Sequence, residues 1–177
     1  MNNLRENTYC IIPEGEKVEL ELLNTYLYIL QKENASSLKL WYKDVRKNKT
    51  HMLSIKSNVG NISSCIEAID MLICKEGMIG LDYSDAFHYM GDESGFSRFN
   101  EYSIRYENDR LMVNDLENAK LFCKMAKEAV VLIDGWYTLY EAQEILELLE
   151  CDDVEVAFQV HLDESKTEGK IYLWISD

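Results

Sequence analysis

The chain alternates between segments in which apolar residues recur at helical spacing and segments in which they recur at strand spacing. Helical spacing is clearest after Ser64, which forms a capping-box pattern with Glu67. The apolar residues of this segment share one helical face: Cys65, Ile66, Ile69, Leu72 and Ile73. The spacing therefore predicts a helix here. Further helices are predicted over Lys17–Lys32, Tyr83–Met90 and Leu116–Ala126.

A last helix is predicted after Thr138, because Thr138 and Glu141 match a second capping box. Its apolar residues are expected to form a buried face: Leu139, Ala142, Ile145, Leu146 and Leu149.

Strands are predicted where β-branched and apolar residues cluster between turn residues. In chain order the predicted strands are Thr8–Ile12, Leu38–Val45, His51–Ser57, Glu101–Tyr106, Arg110–Val113, Ala129–Ile133, Val154–Leu162 and Lys170–Ile175. The second and third strands, the fourth and fifth, and the seventh and eighth are each separated by one polar stretch, which predicts three hairpins. Ala129–Ile133 is a continuous apolar run and predicts a buried strand.

This order of elements predicts an α+β fold. A helix or a sheet must bury its apolar face against another element. From residue 61 to residue 177 the predicted helices and strands are therefore expected to pack as a two-layer sandwich, a mixed β-sheet with helices on one face. Residues 1–60 are predicted to be an N-terminal appendage with a helix and a basic β-hairpin. A length of 177 residues and a hydrophobic content of 47% suit one compact domain with a small appendage.

Charge is distributed unevenly. The formal net charge of −14 disfavours nucleic acid as a partner, because phosphate binding requires a concentrated basic surface. The predicted hairpin is the exception, since six basic residues and one acid lie between Ser37 and Ser57. This segment has two interpretations: a solvated face balanced by nearby acids, or a docking patch for an acidic protein. The residues of the candidate patch are Lys39, Trp41, Lys43, Arg46 and Lys47.

Several classes of chemistry have no pattern in the sequence. The three histidines lack metal-binding spacing, and no serine lies in a GxSxG motif, so we expect neither a metal nor a cofactor. The five cysteines are odd in number and widely spaced, which indicates reduced thiols. We find no apolar run of membrane-spanning length and no signal-peptide pattern, and we expect a cytoplasmic protein.

The segment GMIGLDYSDAF, from Gly77 to Phe87, places Asp82 and Asp85 at a junction between a loop and a predicted helix. It resembles the catalytic loop of FtsZ, the bacterial relative of tubulin, in which the pattern is Gly-x-x-Asn-x-Asp-x-x-Asp. In this chain Gly80 occupies the position of the asparagine. In the family this loop reaches the nucleotide pocket of the next subunit, where its carboxylates help to activate water. The resemblance therefore implies that Asp82 and Asp85 act in trans, with Gly80 at the contact.

The same family provides an expectation for the last part of the chain. The segments KEAVVLIDGWYTLYEAQEILELL and VEVAFQVHLDESKTEGKIYLWIS resemble the strand, helix and two strands that end the C-terminal domain of FtsZ. No glycine-rich loop that would cradle a nucleotide phosphate occurs in this sequence. We therefore expect that the chain does not hydrolyse GTP alone. The aspartates also have a purely structural interpretation, as an N-cap and a first-turn acid of a helix.

The resemblance implies a non-GTPase protein that associates with FtsZ or a related filament and caps or modulates its assembly. An alternative is an α+β domain that binds a small molecule or a second copy of itself, because a fold does not determine a function. A third interpretation is an enzyme with a pocket of its own.

Overall fold

In a computed structural model, the strands of the described residues form one mixed β-sheet. The structure describes residues 8–44, 46–58, 60, 62–74, 82–91, 94–135, 137–163 and 168–176. The strands are β1 (Tyr9–Ile12), β2 (Tyr28–Asn34), β3 (Ser37–Asp44), β4 (Lys49–Ser57), β5 (Phe96–Glu107), β6 (Arg110–Val113), β7 (Glu128–Gly135), β8 (Glu155–Leu162) and β9 (Gly169–Ser176). The helices are α1 (Ile62–Cys74), α2 (Tyr83–Tyr89), α3 (Leu116–Lys124) and α4 (Leu139–Leu148), with a short 3₁₀ helix at Leu20–Asn24.

The strand order is β1-β2-β3-β4-β5-β9-β7-β8, and β6 pairs with the C-terminal end of β5. The sheet is mixed, because β1 with β2, β4 with β5 and β7 with β8 are parallel pairs, whereas the other pairs are antiparallel. The mixed sheet and the α+β content agree with the expected class. The sheet also crosses the boundary predicted at residue 60, because β4 pairs with β5 and their residues share one core.

Both faces of the sheet carry a hydrophobic core in its C-terminal half. Val130 and Leu132 of β7 pack into a core with α1 and α2, whereas Val131 and Ile133 pack into a second core with α3 and α4. Alternate residues of a strand point to opposite faces, so this central strand is covered on both sides. The prediction of helices on one face in a two-layer sandwich is therefore wrong for this half. The continuous apolar run of β7 is the pattern that such double burial requires.

Lys17–Lys32 was predicted as a helix, and this prediction is wrong. The segment contains the 3₁₀ helix and the first residues of β2. Tyr28, Ile29 and Leu30 are completely buried in β2, which lies between β1 and β3. By contrast, Leu20 is 47% exposed. Without a buried apolar face, the residues before Tyr28 have nothing to stabilise a longer helix.

The predicted hairpin of the last two strands is also wrong. β9 lies between β5 and β7, whereas β8 lies at the edge of the sheet on the other side of β7. The other two predicted hairpins are confirmed as β3–β4 and β5–β6. In the second, Asn108 and Asp109 have φ values of 52° and 60°, which is the left-handed pair that a tight two-residue hairpin turn requires.

Two helix details differ from the predictions. Helix α1 begins at Ile62, so Ser64 lies inside the helix rather than at its N-cap. The capping box at Thr138 and Glu141 is confirmed, but Leu139 is 47% exposed and does not belong to the buried face of α4. The buried residues of α4 are Ala142 and Ile145, which lie one and two turns further along the helix.

Candidate functional site

The end of the loop that resembles FtsZ caps helix α2. Asp82 is the N-cap residue, and its carboxylate accepts a hydrogen bond from the backbone N–H of Ser84 at 2.8 Å. Asp85 follows in the first turn, where a carboxylate complements the helix dipole. Both aspartates are exposed. The structural role predicted for this pair is therefore confirmed.

Helix α2 is held in place by aromatic packing. Phe87 is completely buried, with its ring centroid 4.8 Å from that of Tyr42 on β3 and 5.7 Å from that of Tyr28 on β2. The hydroxyl of Tyr83 donates to the backbone carbonyl of Lys43 at 3.4 Å. Burial raises the pKa of Tyr83, and the negative charges of Asp82 and Asp44 act in the same direction. The N-terminal end of α2 is thus fixed beside the end of β3.

The turn between β3 and β4 lies beside the N-terminal end of α2. Its shape depends on Asp44, whose carboxylate accepts hydrogen bonds from the backbone N–H groups of Arg46 and Lys47 at 2.9 and 3.1 Å. Hydrogen bonds from these N–H groups lower the pKa of Asp44, that from Lys47 having the largest effect. From this turn the Arg46 guanidinium extends to within 3.5 Å of the Asp82 carboxylate. We call the surface formed by Arg46, Lys47, Asp82 and Asp85 the turn–cap surface.

The remaining residues of the predicted docking patch lie elsewhere. Lys39, Trp41 and Lys43 alternate with the buried residues of β3, so they occupy the opposite face of the sheet from α2. The Lys39 ammonium is 2.7 Å from Glu33, which supports a locally balanced charge at this position. Gly80 lies outside the described residues. The structure thus brings Arg46 to Asp82 but does not assemble the predicted patch on one face.

A second polar site, which the sequence interpretation missed, lies at the other end of the sheet. Nδ1 of His161 on β8 is 2.8 Å from Oδ1 of Asp134 on β7. The side chain of Asp134 is 1% exposed and that of His161 is 14% exposed. A buried carboxylate hydrogen-bonded to an imidazole nitrogen fixes the orientation of the ring.

The Asp134–His161 pair belongs to a row of four polar residues. Strand register aligns Ser103, Lys170, Asp134 and His161 across β5, β9, β7 and β8, and all four point to the side of the sheet that α1 covers. A groove of about 360 Å³ opens over Ser103, Lys170 and Asp134 of this row, and we call it the strand-end groove. Its lining residues are Glu67, Met71, Ser103, Asp134, Glu168, Gly169, Lys170 and Tyr172.

Lys170 is the cation of the strand-end groove, and it lies close to acidic side chains. Nζ of Lys170 is 3.6 Å from Oε2 of Glu101 and 5.9 Å from the centre of the Tyr172 ring. Burial raises the pKa of Tyr172, and the negative charges of Asp134 and Glu101 raise it further, so this hydroxyl remains protonated. The groove therefore presents hydroxyls, an ammonium and carboxylates to a small polar ligand, and His161 contacts one of these carboxylates, that of Asp134.

One sequence signal was available for this site. Asp134 follows the apolar run of β7, and His161 lies at the end of the next parallel strand, β8. Ligands of α/β sheets bind at the carboxyl ends of parallel strands, where such side chains meet. The prediction that β8 and β9 form a hairpin concealed this relationship, because it removed β8 from its parallel partner.

Two observations limit the chemistry of the described part of the chain. Among the described residues, no group of three or more His, Cys, Asp or Glu side chains is placed to hold a metal ion. No helix within these residues combines the length and the apolar character that a membrane crossing needs.

Comparison with known proteins gives a structural likeness but no match in sequence. No protein-family model matches the sequence, and no curated protein matches it. Among solved structures, the chain is similar to a point mutant of FtsZ from M. jannaschii, with 19% sequence identity and a TM-score of 0.47. The match covers 64% of this chain and 37% of that chain. The chain therefore spans little more than a third of the length of the structure it matches.

Proposed function

We propose that the chain is a non-GTPase protein that associates with FtsZ or a related filament subunit and modulates its assembly through the turn–cap surface. The loop pattern from Gly77 to Phe87 suggests this partner, and the cytoplasm, where such filaments assemble, is the expected compartment. The chain provides no phosphate-binding glycine loop of its own. It acts at most as a half-site that contributes Asp82 and Asp85 to the GTPase of the partner.

The contact between Arg46 and Asp82 carries the proposal. Their charged groups are 3.5 Å apart, and their side chains are 72% and 45% exposed. This contact joins the basic hairpin and the loop that resembles FtsZ, which the sequence separates by more than 30 residues. Charged groups at such a surface steer a partner and set its orientation more than they contribute raw affinity.

The charge arrangement suits a head-to-tail contact. Arg46 and Lys47 carry positive charge at the turn, and Asp82 and Asp85 carry negative charge at the start of α2. A partner must therefore complement both signs, which favours one orientation over others. A subunit that docks in this way on the end of a filament forms a heterologous contact, and the next subunit adds only if this chain offers the matching opposite surface.

The proposal is tested with the FtsZ of the same organism, by measuring its GTP turnover and its sedimentation during titration with this chain. We expect the wild-type chain to change both. The Asp82→Asn/Asp85→Asn variant removes the two charges, while asparagine remains a good N-cap residue. We expect it to weaken the effect several-fold, and Arg46→Glu to weaken it similarly through charge reversal.

The matched control is Asp152→Asn/Asp153→Asn, which removes two exposed aspartates between α4 and β8. This variant is expected to act as the wild type does. No effect of the wild-type chain on turnover or sedimentation contradicts the proposal. Equal loss in both aspartate variants shows an effect of net charge rather than of the turn–cap surface. An effect on sedimentation that persists in Asp82→Asn/Asp85→Asn indicates docking through another surface.

A second candidate function is the binding of a small polar molecule in the strand-end groove. The Asp134–His161 pair favours it, because burial of a charged or polar pair costs stability that a hydrophobic pair would not. A thermal-shift screen with sugars, nucleotides and small carboxylic acids tests this function. A ligand that stabilises the wild type but not His161→Gln or Lys170→Met supports it. A ligand that stabilises all three proteins equally binds elsewhere.

A further inference from the structure

A cysteine of α3 and a cysteine that follows α4 lie near each other on the side of the sheet opposite α1. Cys123 is in α3, and Cys151 follows the C-terminal end of α4. Cys123 is completely buried in the second core, and Cys151 is partly buried against the same core. The two side chains are near enough for a thiol–thiol interaction to shift the pKa of both groups. Both thiols are free in this structure.

Ion pairs hold the two backbone segments together at this point. The carboxylate of Glu150, the residue before Cys151, is 2.7 Å from Nζ of Lys120 and 2.9 Å from Nζ of Lys124. These two lysines lie on either side of Cys123 in α3. Glu150 itself has a φ of 54°, the left-handed conformation that ends many helices. The two segments therefore meet at a defined contact.

The two thiols differ in access and in acidity. Cys151 lines a surface groove with Gln143, Leu146 and Val156, so a reagent can reach it from solvent. The hydrogen bond from Cys123 lowers the pKa of Cys151, against the opposing effects of burial and of the Asp152 charge. Donation of that same hydrogen bond raises the pKa of Cys123, and burial raises it further. Because the thiolate is the nucleophile, Cys151 reacts first.

We propose that Cys123 and Cys151 form a dithiol site that a low-molecular-weight disulfide, such as oxidised glutathione, converts to an intrachain disulfide. The Cys151 thiolate attacks one sulfur of oxidised glutathione, the glutathione S–S bond breaks, and one glutathione thiolate leaves and takes up a proton. Cys123 then loses its proton to solvent and attacks the Cys151 sulfur, which releases the second glutathione. Two protein thiols are oxidised, and one glutathione disulfide is reduced to two thiols.

Formation of this bond has a local structural consequence. It links α3 covalently to the turn that precedes β8, in place of the hydrogen bond and beside the Glu150 ion pairs. Because the ion pairs of Glu150 with Lys120 and Lys124 already hold the two segments side by side, we expect side-chain rotation to suffice and both helices to keep their positions. The reaction therefore marks a modification site that requires no unfolding.

The test treats the full chain, purified under reducing conditions, with oxidised glutathione, followed by peptide mapping without reduction. We expect a Cys123–Cys151 linked peptide and a rise in melting temperature of about 5–10 °C, because the bond restricts the unfolded chain. Cys123→Ser is expected to stop at a mixed disulfide on Cys151. Cys151→Ser is expected to leave Cys123 unmodified, because Cys123 is buried.

Cys10 provides the matched control, since it is also partly exposed but its pKa is raised by burial. Cys10→Ser is expected to form the linked peptide as the wild type does. A wild-type product that remains a mixed disulfide at Cys151 contradicts the proposal. Faster modification of Cys10 than of Cys151 contradicts it as well. The mapping of the wild-type protein decides between these outcomes even if a serine variant does not fold.

Discussion

The imidazole of His161 and the carboxylate of Asp134 are joined at 2.8 Å across two parallel strands, β8 and β7, near their carboxyl ends. The side chain of Asp134 is 1% exposed. Replacement of His161 by leucine removes one hydrogen-bond partner from a buried carboxylate. We expect His161→Leu to lower the free energy of unfolding by about 1–3 kcal/mol. Urea denaturation measures this change.

Lys170→Met is the control for that variant, because it changes the same row of the sheet at a side chain that is 48% exposed. Its effect on the free energy of unfolding is expected to stay below about 1 kcal/mol. Equal effects of the two substitutions would show that the Asp134–His161 pair has no special role in stability.

Two variants of Asp82 separate the contribution of helix capping to stability from the contribution of the negative charge. Asp82→Ala removes the acceptor for the Ser84 N–H and is expected to reduce the free energy of unfolding by about 1 kcal/mol. Asp82→Asn retains the cap and is expected to change it by less than half of that amount. Thermal or urea denaturation of both variants tests this prediction. If both variants lose the same stability, the Arg46 contact rather than the cap is responsible.

Two glycines pack directly on Tyr137. A methyl group at Gly135 or at Gly169 would overlap the Tyr137 ring, which is 2% exposed. Gly169→Ala is therefore expected to destabilise the protein by about 1–3 kcal/mol through overpacking. In a Tyr137→Leu background the same substitution is expected to cost less, because the overlapping ring is absent. A double-mutant cycle by urea denaturation measures this coupling. Additive effects would contradict it.

Glu150 predicts a pH dependence of stability. Hydrogen bonds from Lys120 and Lys124 lower its pKa from 4.5 to about 2. The folded state therefore binds the Glu150 proton more weakly than the unfolded state, so the stabilising contribution is complete above pH 4.5 and decreases as the pH falls from 4.5 towards 2. We expect wild type to exceed Glu150→Gln in urea midpoint at pH 7, and this difference to be smaller at pH 3.

The lysines provide the control for this pH effect. In a Lys120→Met/Lys124→Met background, Glu150→Gln is expected to produce a smaller difference at pH 7 and little change between the two pH values. A difference that is the same at pH 7 and pH 3 in the wild-type background would show that the ion pairs do not shift this titration.

Local sequence signals predicted much of the fold. Thr138 with Glu141 located the start of α4, Asp82 located the start of α2, and the polar residues between β5 and β6 located a hairpin turn, because each signal depends on neighbouring residues alone. The interval Lys17–Lys32 was misassigned because Tyr28–Leu30 form a strand only when β1 and β3 bury them. That burial comes from tertiary structure, which local apolar spacing does not contain.

The two candidate sites also combine features that depend on neighbouring residues with features that depend on tertiary structure. The cap at Asp82 follows from its own sequence position, whereas its contact with Arg46 depends on how β3 and α2 pack. The Asp134–His161 pair depends on the register of β7 and β8, and no local pattern determines which strand β8 joins. The loop that resembles FtsZ leads to α2, beside the end of β3. The strand-end groove lies at the opposite end of the sheet, so the resemblance contained no information about it.

The position of β9 has a consequence for how the protein folds. β9 is the last of these strands in sequence, yet it separates β5 from β7 and pairs with both. Among the described strands, β9 alone joins the strands from β1 to β6 to the β7–β8 pair. Contacts between residues this distant in sequence form slowly, because a long chain segment must first be closed. We therefore expect insertion of β9 to be a late step and to couple both halves into one cooperative transition.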